Sequence, residues 1–169
     1  MNKYLLISFI FIFLCTGCKV KSSMNVQKSD GSVEYIDHKT KISLQYPSNW
    51  SLDTTYLPSI RYAGENGFFQ MDAGGTGSIS IDEFASLNAH HKLNPYGTNP
   101  EITVVNIDNQ DARLIKPSDD QPEEMKNQTC LIVKYPKPIK IGDTMYNFFI
   151  VYADSENIEA ITETIHFIM

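Results

Sequence analysis

Alternation of apolar and polar side chains marks most of the chain beyond residue 32 as strand. Ile42, Leu44 and Tyr46 alternate with Lys41, Ser43 and Gln45, the period-two pattern of a half-buried strand. Residues 33–36 form a short apolar run just ahead of it. Residues 60–62 and 67–71 read as two further strands around the turn Gly64, Glu65, Asn66, Gly67. Residues 102–107 and 112–116 pattern as a hairpin about Asp108, Asn109 and Gln110. Residues 129–135 and 145–153 read as a central pair. In the second of these, Tyr146, Phe148, Ile150 and Tyr152 occupy one face, while Phe149, Val151 and Ala153 occupy the other. A strand apolar on both faces must be covered on both sides, so the fold is expected to be layered.

Two stretches carry helical spacing. Ser80 followed by Glu83 fits a capping box, in which the serine hydroxyl accepts an early backbone N–H and the glutamate reaches back to the cap. Phe84, Leu87 and His91 then fall on one stripe, and the helix is expected to end near Leu93, since Asn94 and Pro95 cannot continue it. A second helix is expected from about Ser155, with Ile158, Ile161 and Ile165 on its apolar face. Pro47, Ser48 and Asn49 form a turn that delivers Trp50, the only tryptophan, back toward the sheet. Residues 19–32 are polar and lack aromatics, and read as a disordered tether.

The first eighteen residues have a different pattern. Lys3 precedes an apolar run from residue 4 to 14, interrupted only by Ser8, and Thr16, Gly17 and Cys18 close it with small residues before a cysteine. This is the layout of a secretory signal peptide, too short to span a bilayer as a mature helix. Its ending resembles a bacterial lipobox, which implies cleavage before Cys18 and attachment of a diacylglyceryl group to that cysteine. Cys15 stands where Leu, Val or Ala is commoner. The expected organisation is a signal peptide over 1–17, a lipidated cysteine and tether over 18–32, and a single domain over 33–169.

Charge narrows the partners. The chain has 14 basic and 20 acidic residues and a formal charge of −6. Loss of Lys3 with the signal takes this to about −7. An acidic chain without a basic cluster along its sequence argues against nucleic acid or anionic lipid as its main partner. Membrane attachment is then expected through the lipid alone. Of three cysteines, Cys15 leaves with the signal and Cys18 is acylated. Cys130 is left without a partner, in a β-branched run that suits a buried small hydrophobe.

A family resemblance follows from two short motifs. The segment from Ile42 through Tyr46 and Pro47 to Trp50 resembles the opening of PsbP/Mog1-like domains, where a strand ends in a Tyr-Pro-x-x-Trp turn. The segment from Ile158 through Ile161 and Ile165 to Phe167 is similar to their closing helix and terminal strand. Residues 61–70 and 112–125 are similar to small lipoproteins of Gram-positive bacteria and to extracytoplasmic tails of membrane sensor peptidases. The resemblance implies an α+β fold, an antiparallel sheet covered by two helices in PsbP/Mog1-like α/β/α layering. It also implies a non-catalytic accessory or binding role.

No residue cluster spells out catalysis. His90 and His91 are adjacent, and neighbouring helix positions point about 100° apart, so the pair cannot grip one ion as an i, i+4 pair does. Asp119, Asp120, Glu123 and Glu124 offer carboxylates to a hard cation but lack the order of an EF-hand loop. Residues 74–77 are glycine-rich without the Gly-Lys-Ser/Thr of a phosphate loop. No G-x-S-x-G elbow is present, and neither a metal nor a cofactor is expected. Surplus aromatics suggest a groove if the Tyr96 loop meets residues 117–128. The expected binding surface comprises Arg61, Tyr96, Arg113, Asp119, Asp120 and Glu123, with Cys18 as the anchor. The function expected is a binding lipoprotein on the outer face of a cell membrane, with an extracytoplasmic protein or sensor as partner. The alternatives are an immunity-type inhibitory lipoprotein, or a metal-assisted hydrolase using His90 or His91.

Overall fold

Backbone pairing of these alternating segments builds two antiparallel sheets. The computed structural model describes residues 23–125 and 127–168. In chain order its elements are β1 (Ser23–Gln27), β2 (Ser32–Asp37), β3 (Ile42–Pro47), β4 (Ser51–Leu52), β5 (Ile60–Gly64), β6 (Gly67–Gly74), α1 (Ile81–Ala89), β7 (Glu101–Ile107), β8 (Gln110–Lys116), β9 (Gln128–Ile141), β10 (Thr144–Asp154), α2 (Ile158–Thr162) and β11 (His166–Phe167). One sheet has four strands in the order β1-β2-β3-β11. The other has seven, in the order β4-β5-β6-β10-β9-β8-β7.

Local chemistry fixes the turns. Asp108 and Asn109 adopt φ of 48° and 62°, the left-handed pair that a two-residue hairpin demands, and Ile107 faces Gln110 across them. At the β2–β3 turn the buried Asp37 carboxylate accepts bonds from Lys39 N (2.9 Å) and Thr40 Oγ1 (2.9 Å). Asp154 plays the same part between β10 and α2. It accepts from Phe68 N at 2.9 Å and Asn157 Nδ2 at 2.7 Å, tying the start of β6 to the second helix.

Parity then assigns the layers. Leu44, Tyr46, Tyr62, Phe69, Leu131, Val133, Phe149 and Val151 point between the two sheets and form the main core. Tyr46, Tyr62 and Phe69 are in mutual ring contact, with centroids 4.6–5.5 Å apart. Ile158, Ile161 and Ile165 add to this core beside them. On the opposite face of the large sheet, Ile115, Cys130, Ile132, Phe148 and Ile150 pack under α1.

The layering therefore differs from the α/β/α arrangement with two covering helices that the resemblance implies. The chain is a mostly-β sandwich in which the small sheet, not a helix, covers the inner face of β10. Among the described residues only α1 covers a sheet as a helix layer, because α2 is five residues long. Cover on both faces of β10 is as expected; its identity on one side is not.

Three further differences have local causes. The serine half of the capping box forms, with Ser80 Oγ accepting from Glu83 N at 3.1 Å, but α1 ends at Ala89. Its buried stripe is Ile81, Ala85 and Ala89; of the expected Phe84, Leu87 and His91, only Phe84 packs on the sheet, stacked on Phe148 with centroids 5.0 Å apart, while Leu87 is 61% exposed. Small side chains let the helix backbone approach the sheet, which a stripe chosen for large residues misses. Within the segment expected as tether, residues 23–27 form β1, bonded along β2 with Ser23 opposite Asp37. An edge strand held by backbone bonds needs little apolar content.

Candidate functional site

Among the described residues, half of the outer face of the large sheet has no helix over it. α1 packs on β7, β8 and β9, and Arg113 clamps it there through Nε to Asp82 at 2.6 Å, with its own guanidinium steadied by Asp111 of the same strand. Across the sheet, Arg61 faces Gln70, Gln70 faces Tyr152, and Tyr152 faces Cys130. Cys130 lies under α1 with the second core. Arg61, Gln70 and Tyr152 continue the same row beyond the helix.

These residues line a groove of about 360 Å³, walled by Tyr56, Phe68, Met125 and Gln128, with Asp72 and Glu124 at its rim. The Arg61 guanidinium lies over two rings, 3.8 Å from the Phe68 centroid and 4.4 Å from that of Tyr56. Its Nε is buried without a hydrogen-bond partner among the described residues, and Asp53 Oδ2 stands 3.7 Å away, beyond bonding distance. Asp53 holds Tyr56 in place by capping the 3₁₀ turn Thr54–Tyr56, accepting from Thr55 N and Thr55 Oγ1. Burial pushes the Tyr152 hydroxyl above its ordinary range, so it serves as a neutral donor and acceptor. The groove thus offers a cation on aromatic walls, amide and hydroxyl groups, and carboxylates set back from the cation.

The expected surface residues fall into separate places. Arg61 sits at the centre of the groove. Glu123 belongs to the 3₁₀ turn Glu123–Met125, whose Glu124 and Met125 form its rim. Arg113 is 7% exposed and engaged by α1, so it is a clamp and not a surface residue. Tyr96 is 1% exposed, against Cys130 and Gln128, so the groove expected at its loop does not form there. The two loops do meet, and they close on each other. Asp120 accepts from Thr98 Oγ1 and Ser118 Oγ, both at 2.6 Å, and Gln121 Nε2 donates to Pro95 O at 2.8 Å. These bonds hold the Asp120 carboxyl down at about 2. Asp120 is thereby a loop staple, and Asp119 is an exposed neighbour of it.

Gln70 and Gln128 were not expected at a site, while Phe68 and Tyr152 were among the surplus aromatics, without a place assigned to them. Parity opposite Phe69, Met71 and Val151 puts them on the outer face but does not reveal where α1 stops. His90 and His91 are both exposed, and His91 Nδ1 accepts from Leu93 N at 3.3 Å. Among the described residues, no group of three or more His, Cys, Asp or Glu side chains is placed to hold a metal ion. Cys130 is fully buried, and desolvation pushes its thiol up to about 12. Cys18 lies outside the described residues. Among those described, no helix is long and apolar enough to cross a membrane.

Searches against protein-family models, curated proteins and solved structures find no match to this chain. The functional reading rests on the residues themselves.

Proposed function

We propose that the protein is a non-catalytic binding module, held on the outer face of a cell membrane by a lipid on Cys18. Its groove takes a carboxylate-bearing segment of an extracytoplasmic protein or peptide. The observation that supports this is Arg61, a guanidinium resting on two aromatic rings whose buried Nε makes no hydrogen bond among the described residues and has Asp53 as an ion-pair partner only at 3.7 Å. A buried donor left without an acceptor costs roughly 1–3 kcal/mol. A ligand carboxylate supplies that acceptor and suits the fork geometry of arginine. Asp72 and Glu124 at the rim disfavour a polyanion and accommodate a ligand that also carries positive charge.

The test uses the anchored protein in its own membrane. A photo-crosslinking residue at Gln70, inside the groove, should give one discrete adduct that Arg61→Ala abolishes. The same residue at the exposed Leu87 should not. Failure to form an adduct from Gln70, or an adduct indifferent to Arg61→Ala, overturns the proposal.

A further inference from the structure

The acidic chain hides a basic end. β1 starts at Ser23 opposite Asp37, so the chain enters the domain beside the β2–β3 turn, which carries the exposed Lys39 and Lys41. The β9–β10 hairpin reaches the same end. Ile141 and Tyr146 share one concavity with Ser23 and Lys39. Lys41 borders a second, mostly apolar one of about 320 Å³ with Pro136, Pro138, Ile139 and Phe167. Lys137 and Lys140 are exposed on that hairpin, and Met145 is 47% exposed beside them. The acids here are mostly engaged. The Asp37 oxygens are used within the turn, Asp108 at the β7–β8 turn accepts from Phe167 N at 2.9 Å and stands 3.5 Å from His166 Nδ1, Asp143 lies 4.0 Å from Lys140, and Asp72 stands on the wall of the first concavity. Glu65, Asp119, Asp120, Glu124 and Glu156 belong to turns at the other end of the strands.

The length of the connection brings this end to the lipid. Five residue steps separate Cys18 from Ser23, a span of at most about 18 Å. They include Lys19 and Lys21. An anchor at Cys18 therefore holds the lysine-bearing end within a short distance of the bilayer surface, well inside the reach of side chains and tether together. Lysines beside exposed proline and methionine and half-buried isoleucine match a negatively charged interface into which apolar side chains dip.

We propose that the Lys39–Lys41 turn and the β9–β10 hairpin form a membrane-docking surface that lies on the anionic lipid of the bilayer holding the anchor. This rests on the acylation of Cys18. The groove's Gln128 and Glu124 wall lies toward the opposite end of the strands, and Asp72 stands between the groove and the first concavity. Each lysine near an anionic surface contributes roughly fivefold to the docked population.

Hydrogen–deuterium exchange of the lipidated, full-length protein on vesicles tests this. On vesicles containing phosphatidylglycerol, the β2–β3 turn and the 136–146 hairpin should exchange about tenfold or more slowly than on phosphatidylcholine alone. The difference should vanish at about 1 M salt, where screening falls to about 3 Å. It should also vanish in the triple variant Lys41→Glu, Lys137→Glu, Lys140→Glu, which stays on the vesicles through its anchor. Equal exchange on both lipids, or protection indifferent to salt, overturns docking while leaving the anchor intact. Release of the wild-type protein from both kinds of vesicle overturns the anchor, and the docking with it.

Discussion

Removing the Trp50 side chain should cost roughly 3–5 kcal/mol of folding stability. Trp50 is 5% exposed, its ring stacks on Phe69 with centroids 6.3 Å apart, and its backbone N–H closes the turn onto Pro47 O at 3.1 Å. Some 200 Å² of ring removed from water, at about 25 cal/mol per Å², gives an upper figure near 5 kcal/mol. Residual burial in the unfolded chain lowers it. The ring also lies against Gly64, where an added Cβ would stand 2.4 Å from Trp50 Cδ1. Gly64→Ala should therefore cost about 1–3 kcal/mol through overpacking in the natural protein. In the Trp50→Ala background the same change should be close to neutral. Urea unfolding followed by far-UV circular dichroism reads all four proteins, since the only tryptophan is lost in two of them. The corresponding shift in melting temperature for Trp50→Ala is between about 6 and 20 °C. A loss below about 1 kcal/mol would refute the core placement. An equal cost of Gly64→Ala in both backgrounds would refute the ring contact.

The other predictions follow from burial and bonding. Ala85 is fully buried and Leu87 is 61% exposed. Ala85→Leu should thus destabilise by about 1–3 kcal/mol, while Leu87→Ser stays within about 0.5 kcal/mol in the same urea assay. Asp120 has its carboxyl lowered from 3.8 to about 2 by the Ser118 and Thr98 bonds. Its contribution is therefore complete above pH about 4 and fades as pH falls toward about 2. The amide resonance of Thr98 should follow that titration and lose it in Asp120→Asn. Cys130, with its thiol near 12 and no exposed surface, should resist alkylation at neutral pH until the domain unfolds. Rapid native labelling would contradict its burial.

Much of the strand placement was legible because alternation is a direct readout of which side chains share a face. The β3 pattern, the β7–β8 hairpin and both faces of β10 follow residue by residue from the sequence. Ser80 and Glu83 announce α1, since capping is local chemistry. What covers each face was not legible. β10 demands cover on both sides, yet apolar residues do not tell whether a helix or a sheet supplies it. The burial of Ala85 and Ala89 was missed for a related reason: small residues give a weak apolar signal while permitting the closest approach. At the site, Arg61 was expected among the loop residues of a binding surface, and it lies in β5. Its partners Phe68, Gln70 and Tyr152 acquire meaning only where α1 leaves the sheet bare. The lysine-bearing end was invisible for a topological reason, because Lys41 and Lys137 are far apart in sequence and meet through the β9–β10 hairpin.

The central claim is that this domain works from a lipid anchor at Cys18, and the mass of the mature N-terminal peptide tests it most directly. Protein extracted from membranes should begin at Cys18 and carry a diacylglyceryl group on its sulfur. Cys18→Ser should retain residues 1–17 and carry no lipid. A natural protein that keeps residues 1–17, or begins at another residue without acylation, would contradict the account.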